Sequence, residues 1–187
     1  GGAGGVVYMI NKTINPGTYN IIVGNGGNND TNGDDSKITD INNNILIFDG
    51  ISLIGKGGGK GGAGGGNPGG SGGSGGGGCH YQTTGGSTTQ GNTIWNGTAY
   101  ITGGNNGQTP NIAETGGGGG GAGQAGGTNG MSRGGDGIMI NITGNSIYYA
   151  GGGKGAQYNI IQDGPGSLGG GGYKDNKNGI PNTGGGG

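Results

Sequence analysis

The stretch GGGGGGAGQAGG at residues 116–127 is the longest of six near-pure glycine runs that decide how this chain folds. The other five cover residues 57–66, 69–78, 151–155, 169–172 and 184–187. Glycine supplies 63 of the 187 residues. It loses more conformational entropy on ordering than any other residue, so an isolated run is expected to stay disordered. An ordered run therefore needs regular hydrogen-bonded neighbours.

Three explanations of the runs can be compared. Collagen is excluded because glycine does not recur strictly at every third position and the chain has only five prolines. A flexible Gly/Ser linker array suits the composition, but linkers do not need the apolar segments that recur between the runs. The third is polyglycine II, in which extended left-handed helices of three residues per turn lie side by side and hydrogen-bond to one another.

Polyglycine II packing predicts where side chains are tolerated. A side chain that faces a neighbouring helix would clash, so substituted positions are expected on exposed edges at spacings of three. Three pairs fit this spacing: Lys60 and Ala63, Ser71 and Ser74, and Ala122 and Ala125. Gln124 breaks the register. A ten-residue run would span roughly 30 Å at a rise of about 3.1 Å per residue.

Segments rich in Ile, Val and Tyr separate the runs and predict short β-strands. They cover residues 6–10, 18–23, 37–41, 45–49, 51–56, 92–102 and 137–150. Asn15-Pro16-Gly17 predicts a type II turn, in which Gly17 takes the position that needs a positive φ. The expected fold is mainly β and irregular, with short strands and hairpins framing a sandwich of packed polyglycine II helices and no α-helix.

The two kinds of sequence predict two regions of one compact domain. Residues 1–56 are expected to form a β-strand framework, and residues 57–187 a polyglycine II region with loop inserts at 79–115, 156–168 and 173–182. No apolar run approaches the roughly eighteen residues that span a bilayer. Because the sequence begins at Gly1 without a Met, we expect a processed product or an internal piece.

Charge and residue usage argue against several classes of function. A formal net charge of -1 gives no broad electrostatic footprint for nucleic acid or an anionic membrane. The single Cys79 and the single His80 cannot build a disulfide framework or a four-ligand zinc site. With one His, one Glu and dispersed Asp residues, we predict no catalytic, cofactor or metal site and no enzymatic activity.

Residues 28–34 partly match a calcium-binding loop, with oxygen ligands at alternate positions and Gly33 at the sixth. Asn28 replaces the usual Asp, and Thr39 stands where the bidentate Glu should be. A hairpin turn is the better interpretation of this segment.

Several motifs, in order along the chain, resemble a known family. They include TINPGTYNIIVGNGG (13–27), GDDSKI (33–38), LIGKGGGKGG (53–62), GGDGIMINITGNSIYYAGGGKG (134–155) and PNTGGGG (181–187). Together they resemble the glycine-rich domains of viral structural proteins, especially tail-fibre and tail-tip proteins of tailed phages and related proteins of large DNA viruses. The resemblance implies a β framework that feeds a sandwich of polyglycine II helices, and a virion or extracellular location.

The same resemblance points to loops as binding sites, because in glycine-rich adhesins of some phage tail fibres the loops between glycine runs contact the host receptor. Amphipathic aromatic residues amid small polar ones suit contact with sugars or protein surfaces. The candidate receptor-binding residues are His80, Tyr81, Trp95, Tyr100, Tyr158 and Tyr173. The alternative is that these aromatics cap the ends of the glycine layers or fill a scarce core.

These observations lead to one expected function and two alternatives. The expected function is a non-enzymatic structural component of a virion surface, fibre or tail, made rigid by packed polyglycine II helices. The first alternative is an adhesin whose loops recognise a host glycan or surface protein, and the second is an ice-binding protein with a flat Thr or Ala face. Expected partners are other virion proteins or copies of this chain, without nucleic acid, cofactors or membrane insertion.

Overall fold

A computed structural model describes the chain except for residues 29, 81, 92, 95–99, 112–114, 128–131, 157–166 and 174–177, together with the side chains of 93–94 and 100–102. Within the described part no residue is helical, and ten short strands form four antiparallel sheets. This confirms the expected class, mainly β and irregular without an α-helix.

Every strand lies within or beside a segment predicted from its Ile, Val and Tyr content. The strands are β1 (Val6–Met9), β2 (Tyr19–Ile22), β3 (Ser36–Asp40), β4 (Ile47–Phe48), β5 (Ile51–Ser52), β6 (Ile54–Gly55), β7 (Thr93–Ile94), β8 (Tyr100–Gly103), β9 (Ile138–Ile140) and β10 (Ile147–Tyr149). Their orders are β1-β8-β7, β2-β3-β6, β4-β5 and β10-β9. In β9, half-buried Ile138 and Ile140 flank exposed Met139, which is the alternation expected of a strand with one covered face.

The segment with a partial calcium-loop pattern belongs to a hairpin. Strands β2 and β3 pair with Ile21 opposite Ile38, and residues 23–35 connect them. The Thr31 N–H donates to the Asn28 carbonyl at 3.0 Å. Thr39 is buried in β3, so it is not part of the connection. The hairpin interpretation is confirmed.

The bend at Asn15-Pro16-Gly17 differs from the predicted type II turn. Gly17 does not have a positive φ. The Tyr19 hydroxyl instead donates to the Asn15 carbonyl at 2.7 Å. The prediction of a type II turn is wrong, because a side-chain hydrogen bond closes this bend without a left-handed residue.

The glycine run at 116–122 has hydrogen bonds with a period of three. The N–H groups of residues 116, 119 and 122 donate to the carbonyls of residues 156, 153 and 150 at 2.7–2.9 Å. Those of residues 117 and 120 donate to a second neighbour, at the carbonyls of residues 78 and 75. Successive N–H groups that point to different neighbours, and return after three residues, are the pattern of polyglycine II.

The run at 151–155 repeats this pattern. The N–H groups of residues 151 and 154 donate to residues 169 and 172, and those of 152 and 155 donate to residues 135 and 132. Because each segment is bonded to several others, the hydrogen bonds link the glycine segments into one continuous network. We call the segments at 116–122 and 150–156, together with the segments hydrogen-bonded to them, the glycine body.

The run at 69–78 is not a single straight helix. The Gly76 N–H donates to the Gly70 carbonyl at 2.9 Å, so the run reverses direction near residues 73–74. Gly70 also donates to Lys60, and Gly59 donates to Ser74, so both halves border the run at 57–62. The expected length of roughly 30 Å is therefore wrong for this run, since folding back gives both halves hydrogen-bonding neighbours.

Residues 1–5, GGAGG, lie inside the glycine body although they belong to none of the six runs. The N–H groups of residues 2, 3, 4 and 5 donate to the carbonyls of residues 59, 120, 184 and 56. Gly2 and Ala3 are buried. The carbonyls of residues 1 and 3 also accept the N–H groups of residues 153 and 74, so this short segment is hydrogen-bonded to five of the six glycine runs.

Small side chains occupy the interior as well as the edges. A small apolar cluster consists of Ala3, Ala122 and Ala150, with Val6 and Ile138 packed against it. Ser71 is exposed as expected, but Ser74 and Ala122 are 0% and 1% exposed. The edge prediction is wrong for these two residues, because Ser74 lies where its run reverses and Ala122 lies where the glycine body meets the strands.

Candidate functional site

The glycine body has two ends, which the directions of its segments define. At the strand end, Gly5 leads into β1 and Ala150 follows β10. At the loop end lie Gly1, Gly62 and Cys79. Gly1 and Gly5 belong to one extended segment, so four steps of about 3.1 Å separate the two ends by roughly 12 Å.

A cavity of about 570 Å³ opens at the loop end. Its wall is mostly glycine, from the runs at 57–66, 69–78, 116–127 and 151–155. Cys79, His80 and Lys154 supply its larger side chains. Glycine walls present backbone N–H and C=O groups directly to the cavity, so its surface combines polar backbone with three chemically distinct side chains.

A tight turn places His80 beside this cavity. The Cys79 N–H donates to the Thr83 hydroxyl at 2.8 Å, and the Thr83 hydroxyl lies 3.1 Å from the Asn67 carbonyl. Gln82 takes a left-handed φ of 58° within the turn. Cys79 is buried and is not part of a disulfide. The turn is thus held to the neighbouring 63–68 connection, which fixes the backbone of His80.

The candidate receptor-binding residues do not share one surface. His80 lines the cavity, and exposed Tyr173 follows Gly172, whose carbonyl accepts the Lys154 N–H at 2.9 Å. Both therefore lie at the loop end. Tyr100 belongs to β8 and pairs with Met9 of β1 at the strand end. Tyr81, Trp95 and Tyr158 are outside the described residues.

The segment 79–115, expected as a loop insert, contributes to the glycine body. The Gly69 and Gly72 N–H groups donate to residues 84 and 87, and those of Gly75 and Gly78 donate to residues 105 and 108. Between these two extended stretches, β7 and β8 join the sheet of β1 at the strand end. Among the described residues of this segment, Cys79 and His80 near its start lie at the loop end.

A comparison with known protein families agrees with the glycine-rich character of the chain. The model of a glycine-rich domain matches residues 1–187. The chain belongs to this glycine-rich domain family. No curated protein and no solved structure matches the chain significantly.

In this glycine-rich domain, side-chain amides accept backbone N–H groups in places where a neighbouring peptide carbonyl would otherwise do so. The sequence did not predict this role. Gln108 Oε1 accepts the N–H groups of Gly118 and Ser132, each at 3.1 Å, beside the loop end. Gln90 Oε1 accepts the Lys56 N–H at 2.8 Å. A primary amide has an N–H donor and a carbonyl acceptor, as the peptide group does. The many Asn and Gln residues beside the glycine runs were the feature of the sequence that could have indicated this role.

Charged groups are few in this domain, with 8 Lys and Arg and 9 Asp and Glu residues. Among the described residues, no three His, Cys, Asp or Glu side chains cluster as metal ligands would. The described part also contains no helix that could cross a membrane. Asp40, at the end of β3, accepts hydrogen bonds from the side-chain amide and backbone N–H of Asn44, which lower the pKa of its carboxyl group.

Proposed function

We propose that this glycine-rich domain is a non-enzymatic structural component of a virion surface, fibre or tail. The observation that carries the proposal is the interior of backbone packed on backbone, in which every third N–H group of 116–122 donates to the same neighbouring segment. Few side chains in that interior can change rotamer, so the body resists deformation. The viral assignment depends on the motifs at 13–27 and 134–155, which resemble those of virion proteins.

A second candidate function is attachment to a host glycan or surface protein, and the loop end favours it. The wall of the cavity at this end includes His80, Gly116 and Ala156. Thr115 lies next to this wall, because it directly precedes Gly116. Tyr173, 46% exposed, lies at the same end. A rigid body that presents several connections and an aromatic side chain at one end is suited to a binding surface.

Ice binding has less support than either function. It would require a flat exposed face of Thr or Ala residues. Ala3, Ala122 and Ala150 are buried in the apolar cluster instead. Thermal hysteresis of the isolated domain would revive this candidate.

Localisation on particles tests the structural proposal. Antibodies raised against the 187-residue chain should label intact virions of the source system in immunogold electron microscopy, and particles that lack the domain should show a missing or deformed appendage. Complete absence of the chain from purified, disrupted particles would rule out a virion component.

Substitution of two tyrosines distinguishes the attachment function from a purely structural one. Tyr173→Ala alters the loop end, whereas Tyr148→Ala makes the same change at the strand end, where Tyr148 is also partly exposed. Attachment through the loop end predicts reduced adsorption to host cells for the first variant only, with normal particle morphology for both. Equal adsorption by all particles would remove the loop-end attachment function and leave the structural one.

A further inference from the structure

Strand β2 is the open edge of its sheet. In the described part of the chain it pairs with β3 alone, in the order β2-β3-β6. The other edge of β3 is satisfied by residues of β6 and its neighbours: the Ile38 N–H donates to the Leu53 carbonyl, and the Ile38 carbonyl accepts the Leu46 N–H. Both backbone groups of Ile38 therefore point away from β2.

The direction of the Ile38 backbone groups determines which backbone groups of β2 face the open edge. Ile21 is opposite Ile38 in the antiparallel register. Residues opposite each other alternate between pairs that exchange hydrogen bonds and pairs that do not, so Ile21 and Ile38 form a non-hydrogen-bonded pair. The N–H and C=O of Ile21 consequently point to the open edge, where a further strand could bond to both.

As far as the described residues show, the edge has none of the features that usually prevent pairing. Natural sheets protect exposed edges with charged residues, Pro, bulges or a covering segment. Residues 13–29 contain no charged side chain, and the only proline, Pro16, lies before the strand. Ile21 and Val23 are 74% and 78% exposed. Such an edge favours β-strand addition.

An apolar groove adjoins this edge. It encloses about 470 Å³, and its wall includes Ile21, Ile22 and Val23 from the β2 side and Val7, Ile140 and Tyr149 from the other strands. A strand added to β2 would bring its own apolar side chains next to this groove. The added contact would then include apolar burial as well as backbone hydrogen bonds.

We propose that β2 pairs antiparallel with β2 of a second copy of this chain, on a two-fold axis through Ile21. In that register Tyr19 faces Val23, Asn20 faces Ile22 and Thr18 faces Gly24. A two-fold interface needs a self-complementary patch, and an uncharged strand meets this requirement without like-charge repulsion. The two sheets become one sheet of six strands. The inference does not depend on the proposed virion role.

Association of the 187-residue chain tests this pairing. Sedimentation velocity should show a species of twice the 17.6 kDa mass, in a concentration-dependent equilibrium. Ile21→Lys places a charge beside its own symmetry mate and should weaken dimerisation at least about tenfold in Kd. The matched control is Ile47→Lys, the same change at an exposed residue of the separate β4-β5 sheet, which should leave the dimer unchanged.

Ile21→Pro examines the backbone hydrogen bonds directly. It removes an N–H that faces the open edge and leaves the bonds to β3 in place, which proline at an edge position allows. It should also produce monomers, and circular dichroism verifies that the variant is folded. A wild-type chain that stays monomeric up to millimolar concentration overturns the proposal. So does a dimer that persists in Ile21→Lys, or one that Ile47→Lys disrupts equally.

Discussion

At the scale of single residues, glycine has two distinct uses in this chain. At Gly76 a Cβ atom would lie under 3.0 Å from the Lys60 carbonyl oxygen and carbon, an approach that real Cβ atoms do not make. At Gly64 a Cβ would meet nothing within 4 Å, and this residue is exposed. Gly76 is therefore required by packing, whereas Gly64 only continues a run.

Alanine substitution should separate these two uses. Gly76→Ala forces backbone segments apart, and we expect it to lower the free energy of unfolding by about 2 kcal/mol or more. Gly64→Ala should be neutral or stabilising by up to about 1 kcal/mol, because alanine reduces the entropy of the unfolded chain. Chemical denaturation of both variants measures the difference. Equal stabilities would contradict close backbone packing at Gly76.

At the scale of elements, the glycine segments are ordered by their lateral hydrogen bonds. The segment 116–122 donates to two neighbouring segments, at 150–156 and 75–78. The connection at 64–66, within another glycine run, is an exposed turn in which Gly65 and Gly66 have positive φ. Glycine-rich stretches of similar composition can therefore be either extended and hydrogen-bonded or an exposed turn. Which of the two forms depends on whether neighbouring segments are present.

Amide hydrogen exchange should show this difference directly. The N–H groups of residues 116, 117, 119, 120 and 122 should be strongly protected, because each donates to a carbonyl within the glycine body. Those of residues 64–66 should exchange near the rates of an unfolded peptide and serve as the internal control. Exchange of 116–122 at unprotected rates would mean that these runs are linkers.

At the scale of the whole molecule, one carboxylate links the β2-β3-β6 sheet to the glycine body. Asp35, just before β3, accepts hydrogen bonds from Lys56 Nζ at 2.9 Å and from the Gly57 N–H at 3.0 Å. Partial burial alone would raise the pKa of Asp35. The hydrogen bonds and the charges of Lys56 and Lys37 outweigh burial and lower this pKa below its ordinary value of 3.8.

This link predicts how stability depends on pH. Because the pKa of Asp35 is lower in the folded state, its contribution is fully present above the ordinary value of 3.8 and is lost as the pH falls through the lower folded value. The wild-type chain should therefore lose more stability between pH 5 and about pH 2 than Asp35→Asn does. Thermal unfolding across this range measures the effect. Parallel curves would show that Asp35 does not link the two parts.

Much of the fold was predictable from particular residues. The strand segments were visible because Ile, Val and Tyr cluster at positions such as 19–22 and 138–140. The bend after Asn15 was visible too, but its closure by the Tyr19 hydroxyl was not, because that bond depends on where the side chain points. The candidate site was only partly predictable: His80 and Tyr173 share the loop end, whereas Tyr100 lies at the strand end.

The sequence by itself determined the type of packing. Runs without side chains can approach backbone to backbone, and short apolar segments between them form strands, so glycine layers with hairpins follow from residue types alone. Only the tertiary structure decided which segments are neighbours. It reversed the run at 73–74, placed residues 1–5 inside the body and put the cavity at one end. The physical reason is that a glycine run has almost no side chains to specify a partner or direction, so distant hydrogen bonds must do so.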